Sequence, residues 1–297
     1  MRVFLTGATG FVGSYLVTEL IEAGHHVVAL CRSDAGAEAL SRVGVEVFRG
    51  DVTQLDRLRN AAEAADGVIH AAFKYDFSNL KQYSEDDRKA VSTLGEVLAG
   101  SDRPLVITSG TDLSRSTTRG PVLETDDHVT SAEFPRAASE EAADALIAKG
   151  GRVMVMRLSQ VHDTHKQGRI SSYIHIAMQH GRVAYPGEGN NRWPAVHVSD
   201  AVRLFRLALE KGRAGARYHA VGEEGVALRD IAEAIGAGLK LPIESIPAEQ
   251  APQYFGGLTH LATHDFAASS VLTRQQLGWS PAGPGLLTDL RKMDYTM

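Results

Sequence analysis

The stretch Val3-Phe4-Leu5-Thr6-Gly7-Ala8-Thr9-Gly10-Phe11-Val12-Gly13 decides the fold. Its apolar start reads as a buried strand. Three glycines then turn the chain into an amphipathic segment, Ser14 to Ala23, which reads as a helix. A glycine-rich turn between a strand and a helix N-terminus is where a pyrophosphate sits. The helix dipole and unpaired backbone N–H groups face the anion, and the missing side chains let it approach. Gly7, Thr9, Gly10, Phe11, Val12 and Gly13 are therefore candidate binding residues.

Downstream, apolar runs at about 1–6, 26–31, 45–49, 67–72, 104–109 and 152–158 read as strands. Helix-like segments near 11–23, 35–43, 54–65, 79–99 and 136–149 fill the gaps. Alternation at this spacing predicts βαβ units in an α/β fold, a doubly wound parallel sheet of the Rossmann type. After residue 158 the rhythm changes. Ser159 to Arg169 and Tyr185 to Pro194 read as long loops. Val198 to Glu210 and Leu228 to Ala237 read as helices, Arg217 to Val221 as a strand, and Leu241 to Ile246 as extended. The expected organisation is a nucleotide-binding core over 1–158. Residues 159–297 then form mainly a smaller substrate lobe, with about 192–221 returning to the core.

Composition narrows the classes. The 297 residues are 43% hydrophobic and 23% charged, ordinary for a globular protein. A net charge of −5 gives no basic field for nucleic acid. The longest apolar runs are strand-sized, so no bilayer span is expected. The strand and glycine turn begin at once, so no signal peptide is expected. The single cysteine, Cys31, excludes an internal disulfide and fits a cytoplasmic protein. Twelve histidines occur without an H-E-x-x-H or C-x-x-C pattern, so no metal is expected.

The turn has the spacing G-x-x-G-x-x-G, one residue wider than the G-x-G-x-x-G fingerprint. With the leading Thr6 it resembles the extended short-chain dehydrogenase/reductase superfamily, of the NAD(P)-dependent epimerase/dehydratase type. Val196-His197-Val198-Ser199-Asp200 resembles that family's V-H-V-x-D element, and Leu277-Gly278-Trp279-Ser280-Pro281 its L-G-W-x-P. The resemblance thus covers nearly the whole chain, and it implies a structural role for His197 and Asp200.

A dinucleotide fold usually places an acid after the second strand for a ribose 2′-OH, or an arginine for a 2′-phosphate. Here Arg32 and Ser33 follow that strand, which favours NADP(H) over NAD. The competing reading of Arg32 is a solvated arginine at a strand end. Gly50-Asp51-Val52 resembles the family's G-D-V/L segment, which implies that Asp51 meets the adenine and Val52 packs on it. Its plainer reading is a helix cap. His70-Ala71-Ala72-Phe73 ends the fourth strand and resembles the family's H-x-A-A stretch, which implies that Ala71, Ala72 and Phe73 let the backbone approach the cofactor. Lys74 follows, either reaching the pyrophosphate or a substrate oxygen, or solvated.

The resemblance also implies a Y-x-x-x-K pair at the start of the helix after the fifth strand. There the chain reads Pro135-Arg136-Ala137-Ala138-Ser139-Glu140, with Arg136 in place of Tyr and Glu140 in place of Lys. No Y-x-x-x-K occurs elsewhere. Ser109 aligns with the family's hydroxyl that holds the reacting oxygen. Tyr75, with Lys74 beside it, is the first replacement proton donor, followed by Tyr173 and His162 on the substrate side; each also reads as a core or surface packing residue. Arg136 and Glu140 are spaced to pair with each other, and Arg136, Arg192 and Trp193 are candidates for the substrate side.

The expected function is reduction of a small carbonyl, imine or activated alkene by NADPH with a non-standard site. A catalytically incomplete NADP(H) sensor is the second reading. A sugar-nucleotide epimerase or dehydratase is the third. A small-molecule substrate is the expected partner. Many relatives pair through helices flanking strands four and five, which leaves a homodimer open.

Overall fold

The computed structural model describes residues 1–115 and 120–295. The chain alternates as expected: β1 (Arg2–Thr6), α1 (Phe11–Glu22), β2 (His26–Cys31), α2 (Asp34–Arg42), β3 (Glu46–Arg49) and α3 (Leu55–Glu63). It continues through β4 (Gly67–His70), α4 (Leu80–Leu98), β5 (Leu105–Gly110), α5 (Ala138–Ile147) and β6 (Val153–Leu158).

The second half holds β7 (Gln160–His162), α6 (Ile170–His180), β8 (Val183–Pro186), β9 (Arg192–His197), α7 (Val198–Lys211) and β10 (Arg217–Ala220). Then come β11 (Glu223–Ala227), α8 (Leu228–Leu239), β12 (Ile243–Ile246), α9 (Ala251–Phe255), α10 (Thr259–Thr263), α11 (Val271–Leu277) and α12 (Leu286–Lys292).

Seven parallel strands form the central sheet in the order β3-β2-β1-β4-β5-β6-β10. The order reverses between β1 and β4, which opens a crevice at their carboxyl ends. Side chains alternate across the sheet. Val3, Leu5, Val27, Ala29, Ile69 and Val106 meet Leu16, Leu20, Val202 and Phe205 of α1 and α7. Phe4, Val28, Val68, Leu105 and Ile107 face Leu58, Val91, Leu94 and Leu146 of α3, α4 and α5. Burial on both faces explains why these strands read as unbroken apolar runs.

The predicted loops of the second half contain strands. β7 lies within 159–169, and β9 begins within 185–194. They join β11 in a sheet of order β11-β9-β7, while β8 pairs with β12. These strands are three to six residues long. Their partners are distant in sequence, so no local period marks them. A separate core of Tyr173, Ile174, Trp193, Leu228, Ile231, Phe255 and Leu290 lies under this lobe. α7, β10 and Trp279 pack into the core of the large sheet. Among the described residues no helix is long and apolar enough to cross a membrane.

Candidate cofactor and substrate site

The glycine turn sits at the crevice where the strand order reverses. Gly7 has φ +80°, and a Cβ there would lie 2.7 Å from Ala71 C and Ala72 N at the end of β4. A Cβ on Gly13 would lie 1.9 Å from Gly7 O, so α1 rests directly on the turn. A Cβ on Gly10 meets only Gly7 O, at 3.2 Å. Gly10 is thus needed less for packing than for the open space beside it. The first turn of α1 has neither a side-chain cap nor an acid, which leaves its N–H groups and dipole to an anion.

Two connected clefts leave this turn. One, of about 350 Å³, is lined by Gly7, Thr9, Gly10, Arg32, Ser33, Asp51, Val52, Ala71, Ala72, Phe73 and Lys74. The other, of about 490 Å³, shares Gly7, Gly10, Ala71 and Phe73 and adds Phe11, Val12, Gly13, Tyr75, Thr108 and Arg169. The tertiary structure therefore brings the cofactor candidates together. Arg32 is largely exposed, with Nη1 3.4 Å from Asp51 Oδ2. Asp51 also accepts from Thr53 N at 3.0 Å and Thr53 Oγ1 at 2.9 Å. Burial opposes its ionisation, but these bonds and Arg32 hold its carboxyl below the usual range. Asp51 thus closes a local turn and lines the cleft as well. Lys74 Nζ lies 2.7 Å from Tyr83 Oη, on α4.

Arg49 is a residue the sequence reading missed. It donates to Ser33 O at 2.6 Å, Arg32 O at 2.9 Å and Asp34 Oδ1 at 2.6 Å. It thereby clasps the segment after β2. Only the β2–β3 register, which sets Arg49 opposite Cys31, reveals this.

In the second cleft the Tyr75 ring meets Phe73 edge-on, with centroids 5.5 Å apart. Arg169 Nη2 lies 3.3 Å from Tyr75 Oη and 3.1 Å from Asp112 Oδ1. Arg169 Nη1 lies 2.9 Å from Asp112 Oδ2. Burial raises the Tyr75 hydroxyl above its ordinary range, against the lowering pull of Arg169. Tyr75 therefore stays a protonated phenol at neutral pH, the form that can donate. Burial works against the Arg169 charge, and Asp112 more than offsets it.

The profile of the NAD dependent epimerase/dehydratase family matches residues 3–221. The chain belongs to this family. It is 40% identical over 296 residues to the uncharacterized protein C2A9.02 of Schizosaccharomyces pombe, covering 99% of this chain and 100% of that one. It is 28% identical to a 2'-dehydrokanamycin reductase of Streptomyces kanamyceticus, over 88% of this chain and 74% of that one. Its fold is shared with a dTDP-glucose 4,6-dehydratase from Streptomyces venezuelae solved with NAD and TYD bound. That likeness has a TM-score of 0.77 and 19% identity, and covers 98% of this chain and 96% of that one. The glycine cradle and the uncapped helix N-terminus fit the dinucleotide on which family members depend.

The other predicted site residues divide sharply. Ser109 is buried and donates to Glu140 Oε1 at 2.6 Å. Its neighbour Thr108 lines the cleft instead. Arg136 and Glu140 do not pair with each other. Arg136 lies in the tight turn Pro135–Ala137 ahead of α5, outside the regular helix that an i, i+4 contact needs. It bonds Asp87 Oδ2 at 3.0 Å and Thr108 O at 2.6 Å, and its guanidinium stacks 3.9 Å from the Phe73 ring centre. It thus supports Phe73 from behind. Glu140 meets Arg157 Nη2 at 2.8 Å and Arg217 Nε at 3.2 Å.

His70 carries the Asp87 network toward β1, with Nε2 2.8 Å from Asp87 Oδ1 and Nδ1 2.8 Å from Thr6 Oγ1. Tyr173 is a core residue on the α6 face that carries Ile174 and Ala177, and it donates to Ala184 O at 2.5 Å. His162 is buried with Nδ1 2.7 Å from Asp289. Neither reaches the clefts. Trp193 is nearly buried and donates to Leu261 O at 2.8 Å, yet its side chain lines a narrow pocket with Asp112 and Arg169. Arg192 is tied to Asp265 at 2.6 Å. Asp200 accepts from Ala282 N at 3.0 Å and Gly283 N at 2.7 Å, which anchors the C-terminal segment to α7.

Proposed function

We propose that the protein is an NADPH-dependent reductase of a small carbonyl, imine or activated alkene. The observation that carries this reading is the Tyr75–Arg169–Asp112 cluster. It stands in the cleft that runs on from the glycine turn. Residues 1–158 supply the nucleotide cradle, and Arg169 comes from the segment beyond them. A reductase among the relatives supports the same chemistry.

The dinucleotide supplies a hydride when bound. The chain must hold the electrophile and give a proton. Tyr75 donates its hydroxyl proton to the oxygen or nitrogen that gains charge, and Arg169 stabilises the phenolate that remains. Solvent returns the proton through the exposed part of Tyr75. Arg32 favours a 2′-phosphate, held within reach of it by the Arg49 clasp.

The test is oxidation of NADPH over a panel of ketones, aldehydes, quinones, imines and enones. Tyr75→Phe should lower kcat by a factor of roughly 10² to 10⁴ with little loss of NADPH affinity. A sensor is the second reading. It is favoured by the burial of Arg136 and Glu140 in structural ion pairs at the positions where the resemblance places the acid–base pair. Tight NADPH binding without turnover of any compound would support it against the reductase.

A further inference from the structure

The cleft beside Tyr75 continues in two directions. A pocket of about 30 Å³ runs between Trp193, Leu261 and Phe266, and it shares Arg169 and Leu158 with the cleft. An open groove of about 370 Å³ runs along α6 and α9, and it shares Ser172 and Leu258 with the cleft. The groove is walled by Ile176, Phe255 and Leu258, with Ser171, Ser172 and His175 as its polar side chains. No lysine or arginine is among these groove residues. A phosphate or carboxylate is recognised by guanidinium groups, ammonium groups or unspent helix amides. The first amides of α6 are already spent: Ile170 N, Ser171 N and Ser172 N donate to the carbonyls of Gln167, Gly168 and Arg169. Arg169 is the guanidinium common to the cleft and the narrow pocket, and Asp112 engages it through both oxygens.

We propose that the substrate is an uncharged molecule with an apolar body, and that the Arg169–Asp112 pair turns anions away. This rests on the reductase reading. An entering anion would have to displace Asp112 or lie beside it, and either costs free energy. A neutral carbonyl needs only the Tyr75 hydroxyl, and its body lies against aromatic and aliphatic walls. Phosphate-bearing substrates such as sugar nucleotides have no cation waiting in the groove.

The experiment compares benzaldehyde with 4-carboxybenzaldehyde as substrates of the NADPH-loaded protein, and benzamide with benzoate as non-reducible ligands. The ligands are followed by quenching of Trp193 fluorescence against a Trp193→Phe control. The wild type should favour the neutral member of each pair by about ten- to hundredfold, the scale of a charge-assisted hydrogen bond withheld. Asp112→Asn should shift both ratios toward the carboxylate by about tenfold, whatever it does to the overall rate. Equal or better use of the carboxylate by the wild type overturns the proposal. Unmoved ratios in Asp112→Asn overturn it too. If neither aldehyde is reduced, the reductase reading is decided by the wider panel of ketones, quinones, imines and enones. The ligand pair still decides the selectivity: preference for benzamide sustains it, and binding of neither ligand overturns it.

Discussion

Arg169 Nη2 stands 3.3 Å from Tyr75 Oη, and the two residues are 94 positions apart in the chain. A guanidinium beside a phenol lowers the cost of the phenolate that remains once the proton is given. Arg169→Met should therefore reduce kcat by about ten- to hundredfold, the worth of one hydrogen bond to a charged group. KM should change less. Reduction needs the protonated phenol, so activity falls as pH rises through the Tyr75 pKa. Without Arg169 that pKa rises further, and the alkaline limb of the kcat profile moves to higher pH. Arg169→Lys should restore part of the rate. A pH profile identical in wild type and Arg169→Met would separate Arg169 from the chemistry.

Gly10 and Gly13 should fail in different ways. Gly13→Ala puts a methyl group 1.9 Å from Gly7 O and so disrupts the seat of α1 on the turn. Its Tm should drop with or without cofactor. Gly10→Val meets only one carbonyl, at 3.2 Å, and fills the space open to the pyrophosphate. It should leave a folded protein without NADPH affinity. Thermal unfolding and cofactor titration on both variants check this.

Cofactor preference should split between Arg32 and Arg49. Arg32 is largely exposed and partly offset by Asp51, so its bond to a 2′-phosphate is screened. Arg32→Ala should weaken NADPH by about 1–2 kcal/mol, more at low salt, and leave NADH nearly unchanged. Arg49→Ala releases the backbone after β2 and should weaken both cofactors alike. Equal wild-type affinities for NADPH and NADH would refute the preference.

Glu140 should govern acid stability rather than catalysis. Burial alone would raise its carboxyl, but bonds from Arg157 and Ser109 and the charge of Arg217 hold it at about 2, below the ordinary 4.5. Its stabilising contribution is fully present above pH 4.5 and is lost as pH falls toward 2. Glu140→Gln should flatten that part of the stability curve. Glu140→Ala leaves the fully buried Arg157 unpaired and should cost about 3–5 kcal/mol. Ser109→Ala removes one bond from the same carboxylate and should cost about 1–3 kcal/mol of stability. Denaturant unfolding from pH 7 down to pH 3 measures all three.

The parallel sheet and its glycine turn were legible in the sequence because their signals are local. Each parallel strand is a short apolar run, and the glycines of the turn report a positive φ at Gly7 and the close approach of Gly10 and Gly13 to Gly7 O. Gly7, Gly10 and Gly13, the segment after β2 and the end of β4 could therefore be placed before any contact was known. The buried ends of β7 and β9 could not, because their pairing spans more than thirty residues and leaves no period in either strand.

The chemistry depended on tertiary structure for the same reason. The resemblance implied that Arg136 and Glu140 stand where a tyrosine and a lysine are expected, but the sequence did not show where their charges go. The turn ahead of α5 sends Arg136 to Asp87 and Phe73, while β6 and β10 bring Arg157 and Arg217 to Glu140. Ser109 faces that buried pair, which no alignment of motifs could reveal. Arg169 carried no motif at all. It meets Tyr75 and Asp112 because the loop after β7 folds over the ends of β4 and β5. Sequence alone determines the elements whose hydrophobic period is local. Which charges neutralise one another is settled only when distant strands fix their register.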